Sequence, residues 1–235
     1  MSLQVFATLL LGGVAVLDAT PVAQTLLSQP LVTATLLGAI WGEWRVALEV
    51  GVVLQILAAS TLPIGARTPE DYASGGVVGA GVALAIVSRQ HFLMLDDAAA
   101  LVGVLAGLVT ATFGVPLIKW QRRRNEGLSR WCEAEVRRGD AGATGAAQRA
   151  GVVLAFAVGV GYCAACLALG VWLLGPLAGR HSLRLARAWM LAQPLWIGLG
   201  LAQLLQAFVQ RRLIRAALFA MATLTAWLLL MVTGR

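Results

Sequence analysis

Charge is scarce in this sequence: 12% of its 235 residues are Asp, Glu, Lys or Arg, about half the share usual in soluble domains. With 59% hydrophobic residues and a mean hydropathy of +0.81, the chain has too little polar surface for water to be its main solvent. Cysteine is equally sparse. Cys132, Cys163 and Cys166 are too few for a disulfide framework and suit a reducing compartment. Cys163 and Cys166 form a C-x-x-C, but they stand midway along an apolar run, where small-residue helix packing is expected rather than redox chemistry. The two histidines, His91 and His181, are far apart and neither has a second ligand at helical spacing, which leaves no metal site to expect. His91, near Asp96 and Asp97, reads as a solvated loop histidine rather than a phospho-acceptor or proton relay. Also missing are a phosphate-binding P-loop, a G-x-S-x-G nucleophile elbow and an H-E-x-x-H zinc motif. No catalytic residue and no cofactor is expected of this chain.

What the sequence has is apolar runs. A spanning helix needs ~20 mostly apolar residues. Four runs reach that length, 98–118, 151–174, 185–208 and 213–232. Four more, 3–17, 26–40, 46–59 and 73–87, are short and are separated by segments carrying Pro, Gly and charge. The first of them follows Met-Ser-Leu-Gln without the basic residues of a secretory leader, so a retained span is expected. Short runs broken by Pro or Gly point to re-entrant or broken helices, which are tolerated at membrane depth where they line a cavity. The fold class expected is all-α: a polytopic transmembrane helical bundle with re-entrant or broken helices in its N-terminal half and roughly seven to ten spans.

Three regions follow: an N-terminal membrane half (1–118), a basic loop (119–149) and C-terminal membrane helices (150–235). Eight of the eighteen basic residues lie between Lys119 and Arg149. The formal charge of +7 therefore reads as the positive-inside signature of a cytoplasmic loop, not as a nucleic-acid surface. Leu128, Trp131, Cys132 and Val136 share one helical face, which predicts an amphipathic helix on the membrane surface, followed by a flexible Gly/Ala turn over 139–147. Arg122, Arg123 and Arg124 are the candidates for docking a cytoplasmic partner. Strict alternation of spans puts Arg211, Arg212 and Arg215 on the same side as the basic loop. It leaves Arg180, Arg184 and Arg187 on the other side, a conflict that an extra half-helix would remove. Most tryptophans fall near run ends, as membrane-interface anchors do.

Polar groups inside apolar segments are costly unless they have a partner or a task. Asp18 closes the first run and is followed by Thr20, Gln24, Ser28, Gln29 and Pro30; it could cap the next helix as well as bind a ligand. Gln55 places an amide in the run from Val50 to Ala59. Pro63 and Gly65 then interrupt the chain before Ala66 and the stretch Thr68-Pro69-Glu70-Asp71. Amides, carboxylates and exposed backbone pair well with hydroxyl-rich ligands such as sugars.

Read in order, Leu17-Asp18, Gln24, Ser28-Gln29-Pro30-Leu31-Val32, Gly42-Glu43, Gly51 to Gln55, Leu62-Pro63-Ile64-Gly65-Ala66 and Pro69-Glu70-Asp71 resemble the IIC subunits of the mannose/fructose/sorbose family of sugar phosphotransferase systems. Weaker likenesses are the charged stretch 133–140 and Gly198 to Ala202. Two positions depart from the family: Gln29 stands where it usually has Arg, and Gln55 where it usually has Glu. The resemblance implies a membrane-embedded IIC subunit that binds and translocates a hexose-type sugar with a IID membrane subunit, while cytoplasmic IIA and IIB phosphocarriers supply phosphoryl. It implies a multi-pass protein of a bacterial inner membrane, working in an oligomeric complex in the lipid bilayer and contributing position rather than catalytic groups. The site residues expected are Asp18, Thr20, Gln24, Gln29, Gln55, Pro63, Gly65 and Ala66. The alternative is a non-transporting scaffold or sensor derived from such a subunit, suggested by the replacements at Gln29 and Gln55.

Overall fold

The computed structural model describes residues 3–19, 22, 24–60, 68–89, 94–209 and 211–233. Among them the chain forms helices and no strand: α1 (Leu3–Ala19), α2 (Pro30–Trp41), α3 (Trp44–Ser60), α4 (Tyr72–Val87), α5 (Leu95–Arg137), α6 (Ala143–Arg180), α7 (Ser182–Phe208) and α8 (Arg212–Thr233). This is the all-α membrane bundle that the apolar runs predict. Local chemistry sets several boundaries. Pro30 occupies the first turn of α2, where its missing N–H costs nothing, and Gly42 ends that helix in the left-handed conformation at φ 80. Asp71 caps α4 by accepting from the Ser74 backbone N–H.

The first four helices have 17, 12, 17 and 16 residues, each short of a full span. The breaks between them fall where the sequence places its polar and proline-bearing segments. By contrast α5 has 43 residues, about 64 Å at 1.5 Å per residue, roughly twice the hydrocarbon thickness of a bilayer. The amphipathic segment is therefore not a separate helix lying on the surface. It is the distal half of α5, which projects with the start of α6 as a helical hairpin. The turn is also shorter than expected: Gly139 at φ 94 reverses the chain, and α6 begins at Ala143, so 143–147 is helix. Of the side chains that suggested a membrane-lying face, Leu128 borders the groove between the two arms of this hairpin and Cys132 approaches Thr144 at 3.9 Å, while Trp131 and Val136 are exposed.

α4 is the central post. Every residue from Ala73 to Val87 is buried, and α1, α2, α3, α5 and α6 all pack on it. Its glycines allow this. A Cβ on Gly75 would lie 2.7 Å from the Gly107 carbonyl and one on Gly79 2.9 Å from that of Gly103, with the reciprocal clashes from α5. The two backbones touch through paired glycines, as membrane helices do when small residues line the seam. Gly12 and Gly13 do the same for α1 against Cys163 and Phe156 of α6, so Cys163 has the packing role expected of it.

Consecutive helices reverse direction, Gly38 of α2 facing Ala47 of α3 and Gly75 of α4 facing Ala111 of α5, so α2 and α4 start at the end where α1, α3 and α7 finish. The basic hairpin projects from that end. α6 and α7 are joined through the single residue His181 and then diverge, α6 onto α1 and α5, α7 onto α3 and α5. There is no half-helix between them, so Arg180, Arg184 and Arg187 do lie at the end opposite the hairpin. No other helix packs along α8 among the described residues.

Candidate functional site

Asp18, at the last turn of α1, organises the connection to α2. Its Oδ1 accepts from the Thr25 backbone N–H and from the Thr25 hydroxyl at 2.8 Å, and its Oδ2 from the Ser28 N–H at 2.9 Å. Asp18 is 4% exposed, and its carboxylate is met by these donors. The loop bends tightly around it, with Gln24 and Leu26 at φ 52 and 73, conformations that cost energy without such a clamp. Asp18 thus delivers Ser28 and Gln29 to the start of α2.

Gln29 and Gln55 meet. The Gln55 Nε2 donates to Gln29 Oε1 at 2.7 Å, and the Gln55 Oε1 accepts from the Leu31 N–H at 3.3 Å. The second bond satisfies a donor at the α2 N-terminus that has no partner inside the helix. Two neutral amides thereby tie the start of α2 to α3.

Beside this pair is a cavity of about 240 Å³, lined by Ser28, Gln29 and Pro30 of α2 and its lead-in, by Glu70, Asp71 and Tyr72 at the start of α4, and by Val16, Ala58, Ile118 and Arg122 among others. It joins polar and apolar side chains at the end of the bundle from which the hairpin projects. Asp71 is fixed three ways: its N–H donates to the Ala111 carbonyl at 2.9 Å, and its carboxylate accepts from the Ser74 N–H at 3.1 Å and hydroxyl at 2.7 Å. Gly114 makes room for it, since a Cβ there would sit 2.5 Å from that of Asp71. Pro116 lies inside α5 and removes the N–H that would bond Thr112. Two carbonyls just before it accept from neighbouring helices, Ala111 from the Asp71 N–H and Thr110 from the Tyr162 hydroxyl at 2.6 Å.

Of the residues expected at a site, Gln29 lines this cavity, Gln55 holds Gln29, and Asp18 shapes the loop behind it. Gln24 is exposed on that loop, away from the cavity lining. Thr20, Pro63, Gly65, Ala66 and the loop histidine His91 lie outside the described residues. Arg122, Arg123 and Arg124 border two different cavities. Arg122 reaches the cavity rim, 3.4 Å from the Thr68 hydroxyl. Arg123 and Arg124 border a separate groove between α5 and α6, with Arg124 stacked over Trp120 at 5.4 Å. Ser28, Glu70, Asp71 and Tyr72 were not foreseen as cavity residues. The motifs Ser28-Gln29-Pro30-Leu31-Val32 and Pro69-Glu70-Asp71 were signals for three of them; Tyr72 carried none beyond adjacency.

A second polar cluster closes the opposite end. Arg45 bridges Glu49 at 3.0 Å and Asp97 at 2.6 Å, while the Trp189 indole donates to Glu49 at 3.1 Å. It links α3, α5 and α7. Trp189 is 2% exposed and Trp41 donates to Thr8 at 3.1 Å, so these two indoles are internal tethers, not interface anchors. Among the described residues no group of His, Cys, Asp and Glu is placed to hold a metal ion.

Comparison with known proteins agrees with this architecture. A family model described as "PTS system sorbose-specific iic component" matches residues 2–233. A solved structure described as "Structure of membrane protein" superposes with a TM-score of 0.68 at 17% identity, over 100% of this chain and 92% of that one. A cryo-EM structure of the mannose transporter ManYZ in complex with microcin E492 superposes with a TM-score of 0.50 at 14% identity, over 97% of this chain and 95% of that one. At such identities the likeness is one of fold. No curated protein sequence matches the chain.

Proposed function

Since the chain belongs to the family of sorbose-specific IIC components of the sugar phosphotransferase system, and is thus a multi-pass membrane subunit of a sugar permease, we propose that it binds a hexose-type sugar in the cavity beside Gln29 and carries it across a bacterial inner membrane. A IID-like membrane subunit shares the translocation. A IIB-like phosphocarrier, charged in turn by a IIA-like one, phosphorylates the sugar. The observation that carries the proposal is the cavity itself: about 240 Å³, below the ~300–1,000 Å³ of pockets for drug-sized molecules, which suits one monosaccharide. Its lining of amide, hydroxyl, carboxylate and phenol matches the alternating donors and acceptors of a sugar ring.

The positive-inside rule puts the basic hairpin in the cytoplasm, and with it the mouth of the cavity. Arg122 then faces the incoming phosphocarrier. The sugar hydroxyl oxygen takes the phosphoryl group from a histidine nitrogen of the partner, the N–P bond breaking as the O–P bond forms, and the hydroxyl proton passes to that nitrogen. This chain supplies alignment, and Arg122 a cation for charge spread over the phosphoryl oxygens. Arg123 and Arg124, turned toward the α5–α6 groove, form a separate docking surface for the carrier. α8, along which no other helix packs among the described residues, is the surface we assign to the membrane partner.

The bond between Gln29 and Gln55 favours transport over the scaffold alternative, because the two replacements keep a tie between α2 and α3 rather than leaving an unpaired group. Uptake of radiolabelled hexoses by cells holding all the partner subunits tests the proposal. Glu70→Gln and Tyr72→Phe are expected to lower uptake at least tenfold with normal membrane levels; unchanged uptake in both would remove the cavity from the transport path.

A further inference from the structure

We propose that a groove on the outside of the bundle, between α1, α4 and α6, is a binding site for an anionic phospholipid, its acyl chains along the groove and its phosphate at Arg89. The groove has a volume of about 580 Å³ and is walled by Val5, Leu9, Ile86, Leu167 and Val171. Ile86 and Leu167 form its floor, 2% and 6% exposed, while Trp172 stands at its edge, 72% exposed. Among the described residues Arg89 is the single charged one in the lining. An apolar trough with one cation at its end is complementary to a lipid that has two apolar chains and a negative headgroup.

The charge distribution of the chain gives an independent reason. The same groove reaches Gly175 and Pro176, in the last turns of α6 before Arg180. Arg184 and Arg187 follow in the first turns of α7. None of these four arginines is in an ion pair among the described residues. They gather at the end of the bundle opposite the basic hairpin, where the positive-inside rule disfavours them. Since α6 passes into α7 through one residue, no rearrangement of spans moves them to the other side. Lipid phosphates at that end offset the charge, and the groove fixes the place of one such lipid.

The test is native mass spectrometry of the purified chain in mild detergent with equal amounts of phosphatidylglycerol and phosphatidylcholine. The wild type is expected to retain phosphatidylglycerol in about fivefold preference, the ratio that ~1 kcal/mol per basic residue gives. Arg89→Gln should lower the ratio at least twofold, the remainder coming from lipids at Arg180, Arg184 and Arg187, while the total lipid retained stays the same, and Ala168→Trp, which fills the trough, should lower both lipids. Val5→Trp fills the trough from the half-exposed α1 wall and serves if Ala168→Trp does not fold. Equal retention of both lipids by the wild type, or an unchanged preference in Arg89→Gln, would overturn the proposal. So would displacement of the lipid by millimolar inorganic phosphate, which would mark a site for the free anion.

Discussion

Exchanging the Gln29–Gln55 pair for charges tests whether the two side chains act as one unit. Gln29→Arg alone removes the acceptor that receives the 2.7 Å bond from Gln55 and sets a half-buried cation beside the Gln55 amide, in a cavity that also holds the Glu70 and Asp71 side chains. Gln55→Glu alone keeps the acceptor for the Leu31 N–H. It loses the donor to Gln29, which a flip of the Gln29 amide restores. The first change is expected to cost about 1–3 kcal/mol, the penalty for a polar group left without its partner, and the second less than ~1 kcal/mol. Together they place a guanidinium against a carboxylate, and the double variant should recover most of the loss, with a coupling of about 1–3 kcal/mol. Thermal or denaturant unfolding in a single detergent reads the four proteins, and uptake reads their function. Additive effects, within ~0.5 kcal/mol, would show that the bond between the two glutamines is incidental and would refute the argument built on it.

Other outcomes follow from the packing. Gly79→Ala places a Cβ 2.9 Å from the Gly103 carbonyl, backbone that cannot yield without parting α4 from α5, so a loss of about 1–3 kcal/mol is expected in unfolding experiments. Trp189→Phe removes the 3.1 Å bond to Glu49 and should cost about 1.5–3 kcal/mol, as bonds to charged groups do, with faster cross-linking of α7 away from α3. Asp18→Asn keeps one acceptor oxygen where the carboxylate uses two; proteolysis of the loop 20–29 is expected to quicken at constant membrane level. Arg122→Ala should leave sugar binding within twofold but slow phosphorylation at least tenfold, whereas Arg123→Ala with Arg124→Ala should weaken carrier binding and spare the rate at saturating carrier.

Much of the fold was legible because bilayer-spanning runs have a length and composition that nothing soluble shares. The short N-terminal runs and their Pro and Gly breaks located the cavity end in the same way. The reach of α5 was not legible: amphipathic spacing is the same for a helix on a membrane and for one packed against a neighbour in water. The polar positions were found, but their tasks were not. Asp18 was open to two readings, a cap for the next helix and a ligand-binding carboxylate; its oxygens bond to Thr25 and Ser28 ahead of α2, an arrangement that only the tertiary path of the loop reveals. Gln29 and Gln55 are separated by α2, and their meeting depends on the α2–α3 hairpin closing at Gly42. Tyr72 and Ser28 reach the cavity because helix starts converge there, a consequence of antiparallel packing that no local pattern encodes.

The central claim, that sugar passes through the cavity beside Gln29, is tested most directly by a cysteine at Ser28 in a Cys132→Ser background. The exchange is nearly isosteric and keeps the backbone bond to Asp18. Labelling Ser28→Cys with a small thiol reagent should abolish hexose uptake, and a saturating transported sugar should slow the labelling several-fold. If the labelled protein still takes up sugar, or if no transported sugar protects the thiol, the substrate does not travel through this cavity.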